Sequence, residues 1–389
     1  MMPEIDFAAD ELPNLHDILS ELRRQGPVSP INFAGKKIWL INDYKTVKGI
    51  ISSDEYLSAP EANKVYLGQA MGNVIATMTG TQHRLNRAVV ANVFFPKKMR
   101  ELADTMFYEE AKLLADSFSG RDRLDLVSEY TRPYTFSNIT RLLGLPKEDV
   151  EILESWAGKI MHSFIDMDSA IAAGKEMGEY LMPIVDRRRK TPTGDVISLM
   201  LESTIDGQSL TNEEILSFCR NLFPAAIDTS TNSLGNLLYQ TLQHRDRSVL
   251  IDEDEDEDDR TSDTIIDEML RLEPPLVLIP RRCVKPVQLG GYEIDRGDDA
   301  RLCLTGANLD PEVFENPHEF NPKRKVKAIT FGHGEHFCLG SHMARRVLET
   351  GLKVLRLRFP DMALCEDKKV EIIGGVLRGP RELWVKPNN

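Results

Sequence analysis

The residue with the clearest capacity for chemistry is Cys338, which lies in a glycine-rich loop. The loop reads FGHGEHFCLG from Phe331 to Gly340, and helix-forming sequence follows from Ser341. Glycines let the backbone approach a flat ligand closely, and a helix that begins just after the cysteine directs free N–H groups at the sulfur. Such donors stabilise the thiolate, which is the form of cysteine that binds metals. The pattern therefore predicts a ligating thiolate at Cys338.

A zinc site is the alternative, because His333, His336 and His342 lie close to Cys338 in the sequence. This group lacks the paired CxxC or HxxxH spacing of ordinary zinc motifs. The five cysteines of the chain are an odd number without a CxxC pair, which also disfavours a disulfide framework. We therefore favour a single thiolate ligand.

A second group that could do chemistry is Asp228-Thr229-Ser230, which interrupts an apolar segment. A carboxylate and two hydroxyls in such surroundings need partners or a purpose. One interpretation is structural: the hydroxyls of Thr229 and Ser230 bond to carbonyls one turn earlier, and Asp228 pairs with a distant cation. The other is a functional role, which these residues alone leave undefined.

The segment that carries this group is predicted to be a long buried helix. Thr211 and Glu214 have the spacing of a capping box, in which two side chains satisfy free backbone N–H groups. Apolar residues then continue around all sides of the helix, which is typical of a buried one. At ~1.5 Å per residue, a helix from Asn212 to about Gln243 would be roughly 48 Å long. Pro224 is expected to kink it or to open a hydrogen bond.

The remaining sequence predicts a mainly α protein with small β-sheets. Ile38 to Ile41 is a strand candidate, and Gly290-Gly291-Tyr292 and Gly374-Gly375 punctuate short apolar runs. No internal repeat and no Pro/Ser-rich linker divides the sequence. We therefore expect one α+β domain over residues 1–389.

Composition limits the classes of function. The net charge of −13 argues against nucleic acid as a partner. Much of that charge lies in the acidic run Asp252 to Asp259, which lacks the Gly and the closing Glu of a calcium loop and is predicted to be a solvated connection. No stretch approaches the ~18 apolar residues of a membrane span, and the N-terminal segment does not resemble a secretory signal. We expect no membrane anchor and a cytoplasmic location.

The cysteine loop resembles the haem-binding signature of the cytochrome P450 superfamily, in which Phe, Gly, Gly, an Arg or His, Cys and Gly recur at these spacings. The resemblance implies that Cys338 ligates the iron of haem b (iron-protoporphyrin IX). It implies that Phe331 packs near the porphyrin, that His336 faces a propionate, and that Gly332 and Gly340 belong to the cofactor site. It also implies the single-domain cytochrome P450 fold, with the haem between the long distal helix and the cysteine loop with its proximal helix.

An ion-pair element of the family has a counterpart here. Glu268-Met269-Leu270-Arg271 is similar to the ExxR element, whose Glu and Arg are buried together. Arg324 matches the arginine of the following meander, which joins that pair. The resemblance therefore implies a structural triad of Glu268, Arg271 and Arg324.

Cations that match the family's propionate ligands occur in the expected order. His83 and Arg87 match a helix whose His and Arg reach the propionates, and Arg281 matches another propionate arginine. Because haem carries two carboxylates, several cations are needed if these are buried.

The polar break in the long helix is similar to the family's oxygen-activating segment, although Ala226 stands where Gly is usual. The resemblance implies that Asp228 and Thr229 relay protons while O2 is the co-substrate, so that one oxygen atom enters an apolar organic molecule. A peroxygenase that uses hydrogen peroxide is the nearest alternative, but such relatives typically lack the acid–alcohol pair. A non-catalytic haem sensor is the third, and it would need neither that pair nor an electron-partner face.

Electrons from NAD(P)H are expected to arrive indirectly. The sequence contains no flavin or iron–sulfur module, so a separate ferredoxin or flavodoxin with its reductase is implied, with no fused reductase domain. Basic residues near the proximal side could steer an acidic partner. These residues are Lys97, Lys98, Arg100, the segment Lys323 to Lys327, Arg345, Arg346 and Lys353.

By family position, the substrate pocket is expected among mainly aliphatic side chains, which suit an apolar ligand. The expected lining comprises Phe223, Ala225, Ala226, Leu276, Val277, Val376 and Leu377, together with the segments Val65 to Thr79 and Met161 to Met167.

Overall fold

The structure is a computed structural model that describes residues 5–205, 207–244, 258–325 and 328–388. Helices dominate it and the strands form small sheets, so the predicted fold class is confirmed. The helices are α1 (Leu15–Gln25), α2 (Tyr44–Ile51), α3 (Ala59–Tyr66), α4 (Gly68–Met71), α5 (Gly80–Ala91), α6 (Pro96–Leu102), α7 (Tyr108–Asp116), α8 (Arg132–Leu143), α9 (Val150–Met161), α10 (Met167–Lys190), α11 (Val196–Glu202), α12 (Asn212–Gln243), α13 (Asp258–Leu272), α14 (Leu304–Asn308) and α15 (Ser341–Arg358).

The strands are short, and most lie beside the helical body in small antiparallel sheets. One sheet has five strands in the order β1-β2-β10-β7-β3, with β10 parallel to β2. The strands are β1 (Val28–Phe33), β2 (Lys36–Ile41), β3 (Leu57–Ser58), β4 (Leu124–Asp125), β5 (Thr204–Ile205), β6 (Gln208–Ser209), β7 (Leu278–Cys283), β8 (Val287–Leu289), β9 (Tyr292–Ile294), β10 (Asp299–Cys303), β11 (Ala363–Leu364), β12 (Ile372–Ile373), β13 (Gly379–Pro380) and β14 (Trp384–Lys386).

One turn follows directly from glycines noted in the sequence. Gly290 and Gly291 form the two-residue turn between β8 and β9, with φ of 59° and 86°. Consecutive positive φ angles define the hairpin turn whose twist matches that of the strands. The strand predicted at Ile38 to Ile41 is the second half of β2.

Helix α12 crosses the centre of the molecule with the bounds that the capping box and the apolar pattern predict. The Thr211 hydroxyl accepts the N–H of Glu214, and the Glu214 carboxylate accepts the N–H of Thr211. The helix packs against α8, α10 and α15. It continues without a break through Pro224, so the proline does not end it.

The structure bears on two further expectations, which concern membrane-spanning segments and the acidic run. No helix within the described ranges is both long and apolar enough to cross a membrane. The acidic run falls mostly outside the described residues, from Asp252 to Glu257, and its last two acids begin α13.

Candidate active site

The cysteine loop is held in shape by positive φ angles and one backbone hydrogen bond. Gly332 and Gly334 both have φ of 74°, a conformation that side chains with a Cβ rarely adopt. The Cys338 N–H donates to the Phe331 carbonyl at 2.8 Å, which closes the loop on itself. The Cys338 side chain is exposed, and Gly340 caps α15 directly after it. The predicted arrangement of a cysteine before a helix N-terminus is therefore present.

The N-terminal end of the loop is tied to the helices behind it. The Thr330 hydroxyl donates to the Leu270 carbonyl of α13 at 2.6 Å and accepts from the Asn308 amide at 2.8 Å. The Asn308 side-chain oxygen in turn accepts the N–H of Ile329 at 2.9 Å. The loop is therefore fixed at both ends: its N-terminal end is bonded to α13 and α14, and its C-terminal end continues into α15.

Opposing effects act on the pKa of the Cys338 thiol. Although the residue is exposed at its edge, the surrounding protein atoms desolvate the sulfur and raise the pKa of the thiol. The N–H of Gly340 and the guanidinium of Arg87 act in the other direction. A coordinated metal cation deprotonates a thiol outright. The N–H of Gly340 and the guanidinium of Arg87 would therefore add to the effect of a metal in stabilising the thiolate.

The aromatic side of the loop packs against a cation. The Arg345 guanidinium lies 5.3 Å from the centre of the Phe331 ring, and its other contact is an ion pair with Asp267 of α13. Arg346 pairs with Glu349 and lies 3.6 Å from Asp263. Both arginines were expected on an electron-partner face, and in the structure their ion pairs also support α15 and the loop.

Arg281 is a buried cation in β7. It is 4% exposed and donates to the Pro280 carbonyl at 2.8 Å, whereas its Nε has no hydrogen-bond partner among the described residues. Burial lowers the pKa of Arg281 to about 10, with a partial offset from Asp54. A buried guanidinium that lacks a carboxylate in hydrogen-bond range is a site that favours an anion.

His83 of α5 is the second buried group with an unused nitrogen. It is 1% exposed, its Nδ1 lies 2.9 Å from Glu335 of the loop, and its Nε2 has no partner among the described residues. The rings of His83 and His336 meet edge to face at 4.6 Å, and His336 lies 3.7 Å from Asp54. Sequence reasoning identified the two histidines and missed Glu335 and Asp54.

These groups fit the haem that the resemblance implies. The unused nitrogens of His83 and Arg281 would supply cationic or N–H contacts for two propionates, and Cys338 would supply the thiolate. Arg87, which was also expected to reach a propionate, donates to the Phe337 carbonyl and so supports the loop. A cysteine thiolate on haem iron donates electron density that favours O–O cleavage.

The expected structural triad is present and enclosed. Arg271 is 1% exposed and forms two 2.8 Å hydrogen bonds to the Glu268 carboxylate. Arg324 donates to the same carboxylate at 2.9 Å. Arg271 also donates to the carbonyls of Asn308 and Pro317, at 3.0 and 2.7 Å. The triad thus fastens α13 to the chain that leads into the cysteine loop.

Helix α12 borders open space at its polar break. Ala225 is exposed although Pro224 and Ile227 on either side are buried. The Thr229 hydroxyl donates to the Ala225 carbonyl at 2.7 Å, as the structural interpretation predicted. Burial raises the pKa of Asp228, and the charges of Arg132 and His162 partly offset the shift. The proton relay itself stays a prediction.

Two segments that were expected to line the substrate pocket are neighbours, but two of the expected side chains are fully buried. The Val277 N–H donates to the Val376 carbonyl at 2.8 Å, and Leu276 and Leu377 form a β-bridge, so these two segments are neighbours. Val277 itself is fully buried, and so is Phe223, which packs edge-on against Phe136. These two side chains belong to the packed core and do not reach an accessible surface.

A small cleft, with about 20 Å³ of space for a water-sized sphere, lies between α5 and the first half of α12. Val74, Ile75 and Met78 from the expected Val65 to Thr79 segment form part of its wall, opposite Phe218 of α12. These three residues belong to a segment that was predicted to line the substrate pocket, whereas Phe218 does not.

Comparisons with known proteins identify the family of this chain. The cytochrome P450 family model matches residues 168–373. The chain is 27% identical over 369 residues to the putative cytochrome P450 YjiB of Bacillus subtilis, covering 92% of this chain and 91% of that protein. It is 29% identical over 368 residues to the cytochrome P450 monooxygenase PikC of Streptomyces venezuelae, covering 92% and 86%.

The fold is similar to that of solved structures over almost its full length. The crystal structure of P450BioI, in complex with an acyl carrier protein ligated to hexadec-9Z-enoic acid, matches with a TM-score of 0.83 and 26% identity, covering 96% of this chain and 98% of that one. With a family match over more than half of the sequence and a cysteine loop built to hold a thiolate, the chain belongs to the cytochrome P450 family.

Proposed function

We propose that this monooxygenase inserts one atom of O2 into an apolar organic small molecule, with electrons that a separate ferredoxin or flavodoxin carries from NAD(P)H. The observation that carries the proposal is the exposed thiol of Cys338 at a helix N-terminus, together with the unused buried nitrogens of His83 and Arg281. When bound, the haem supplies O2 activation, since a thiolate ligand favours O–O cleavage.

The protein's own residues hold the cofactor and set its orientation. Cys338 is the ligand, and the N–H of Gly340 stabilises its charge. Arg281 and His83 bind the propionates, which fixes the cofactor at its polar edge. Phe331, braced by Arg345, supplies an apolar surface beside the sulfur. Val74 and Ile75 give the cleft between α5 and α12 an apolar part, which suits an apolar substrate.

Protons reach the site through the polar break of α12. The raised pKa of Asp228 brings the carboxyl closer to neutral pH, where it can both hold and release a proton. The Thr229 hydroxyl donates its hydrogen bond to the Ala225 carbonyl. Its oxygen can therefore still accept a hydrogen bond from water or from a bound ligand. Asp228 therefore exchanges protons with solvent, and Thr229 positions the molecule that receives them.

Replacing Thr229 with alanine tests this relay. Thr229→Ala should retain haem, but the product formed per O2 consumed should fall about tenfold or more, with hydrogen peroxide released instead, because general acid–base groups contribute at least that much. Product, O2 and peroxide are measured in the same reaction. Thr241→Ala is the matched control, since the Thr241 hydroxyl makes the same bond to a carbonyl one turn earlier on the same helix. Equal coupling in the two variants would contradict the relay.

A small basic surface on α6 is proposed to receive the electron carrier. Lys97 and Arg100 are exposed there, beside Phe95, which is 61% exposed, and α6 packs on α15. Arg324, Arg345 and Arg346, which were expected to share this role, are committed to ion pairs. The proposed docking surface therefore centres on Lys97 and Arg100.

The double variant Lys97→Gln/Arg100→Gln should slow electron transfer from an acidic ferredoxin by about tenfold at low salt, because steering accelerates association by at least that factor. The difference should vanish near 1 M salt, where the Debye length is about 3 Å. Stopped-flow reduction of the ferric protein measures the rate. Lys36→Gln/Lys37→Gln removes the same charge from exposed positions of β2 and should change nothing. A loss that is independent of salt would exclude steering.

Turnover assays separate the proposal from its alternatives. Oxidation that requires O2, NAD(P)H and ferredoxin components supports the monooxygenase cycle. Oxidation by hydrogen peroxide alone at an equal or higher rate would make the protein a peroxygenase. Haem binding without turnover of any compound that shifts the ferric spin state would favour the sensor.

A further inference from the structure

His83 belongs to a cluster of charged and titratable groups, and the carboxylates of this cluster have no assigned role in the site described above. Its members are His83 on α5, Glu335 and His336 on the cysteine loop, and Asp54 after α2. His83 is fully buried, whereas the Glu335 side chain is 53% exposed and reaches inward to the Nδ1 atom at 2.9 Å. Glu335 is thus the direct partner of a buried imidazole.

The identity of this partner decides which nitrogen of His83 carries hydrogen. A carboxylate can only accept a hydrogen bond, so Nδ1 must be the N–H. A neutral imidazole has one N–H, so the Nε2 of a neutral His83 would present a lone pair. A lone pair facing a propionate is repulsive, and only a doubly protonated ring can donate to Glu335 and to a propionate at the same time.

We propose that Glu335 is a positioning residue that couples haem binding to proton uptake at His83, so that the imidazolium bridges Glu335 and a haem propionate. The inference rests on the proposed haem site, because the propionate supplies the second carboxylate. Glu335 acts through His83 and touches neither the iron ligand nor the substrate.

The surroundings of His83 agree with this coupling. Burial lowers the pKa of His83, and Arg87, one turn further along α5, lowers it too, while Glu335 and Asp54 raise it. His336 lies against the ring, and Arg281 lies close enough to His336 to lower the pKa of that histidine. Before a propionate is present, the net lowering of the pKa therefore favours the neutral form of His83. A second carboxylate at Nε2 raises the pKa again.

The sign of the pH dependence follows. The haem-bound pKa of His83 lies above the haem-free pKa, so this contact strengthens haem retention fully below the haem-free pKa. Its contribution is lost as the pH rises through the haem-bound pKa. In Glu335→Gln, the amide N–H can donate to Nδ1, which leaves hydrogen on Nε2 of a neutral ring. The variant then holds the propionate without taking up a proton.

The test is haem release from the holoprotein to an excess of apomyoglobin, followed by absorbance from about pH 6 to about pH 8, where histidine titrates. The ratio of the wild-type release rate to the Glu335→Gln rate should rise about tenfold over this range, which corresponds to one pKa unit. The pH dependence of Cys338 is common to both proteins and cancels in the ratio. Glu366→Gln removes an equal charge at an exposed position and should leave the ratio flat.

Each result is decisive. A flat ratio for Glu335→Gln overturns the inference, and so does an equal rise for Glu366→Gln. If Glu335→Gln does not retain haem, His83→Gln replaces it, and the inference fails if that variant keeps the wild-type pH dependence. The reduced carbon monoxide spectrum of the wild-type protein reports separately on the proposed function. A thiolate-type spectrum with a flat ratio overturns only the role of Glu335, whereas no haem binding at all overturns the proposed function.

Discussion

Cys338→Ala is expected to abolish the thiolate-type spectrum of the reduced carbon monoxide complex and to reduce turnover below detection. The physical reason is that no other side chain of the loop can supply a thiolate, and O–O cleavage depends on electron density from that ligand. The other cysteines, at Cys219, Cys283, Cys303 and Cys365, are all buried. Absorption spectra and product formation measure the outcome.

The control for this prediction is Cys219→Ala. Cys219 is fully buried on α12, and burial raises the pKa of its thiol to about 12, so it is an inert core residue. Its removal should leave the spectrum unchanged. Haem bound by Cys338→Ala through a neighbouring histidine would show a different spectrum, and a wild-type spectrum in that variant would refute the ligand assignment.

Glu268→Ala is expected to lower the free energy of unfolding by ~3–5 kcal/mol, because it leaves two arginines without their shared carboxylate in the interior. Arg271 is almost fully enclosed, so water cannot replace the lost partner. Since a typical protein is stable by about 5–15 kcal/mol, much of the folded population would be lost. Urea unfolding followed by circular dichroism measures the change.

The chain offers a matched control for the triad. Glu61 and Lys64 on α3 form an ion pair with the same three-residue spacing, but both side chains are about half exposed. Glu61→Ala should therefore cost less than ~1 kcal/mol. If Glu268→Ala does not fold, Glu268→Gln, which keeps the shape and loses the charge, provides the comparison. Equal costs at Glu268 and Glu61 would show that the buried triad contributes no more than a surface pair.

Local signals predicted the elements well where the pattern is strong. The capping box and the apolar run gave α12 its observed ends, and the paired glycines gave the turn between β8 and β9. The Glu268–Arg271 spacing is different, because it occurs equally on exposed helices such as α3. Its burial depends on the packing of distant segments, and only the family resemblance pointed to it.

The sequence predicted which residues belong to the site, but it did not predict which of them contact one another. Cys338, His83 and Arg281 were identified, but the pairing of His83 with Glu335 joins α5 to a loop far along the chain. No local periodicity reports such a contact. The same applies to Arg132 and His162, which act on Asp228 from α8 and from the end of α9. Phe223 was expected in the pocket because of its position in α12, but its side of the helix faces the core.

The anchoring of the cysteine loop has a thermodynamic consequence. Thr330 is bonded to α13, and Ser341 begins α15, so the ten residues from Phe331 to Gly340 span two fixed points. Ordering a free loop costs about 1–2 kcal/mol of conformational entropy per residue. In this protein most of the entropy cost of ordering the loop is incurred during folding, when the anchors form. Little further ordering is therefore needed when the cofactor binds. A preorganised loop of this kind binds its ligand more tightly than a flexible one with the same contacts.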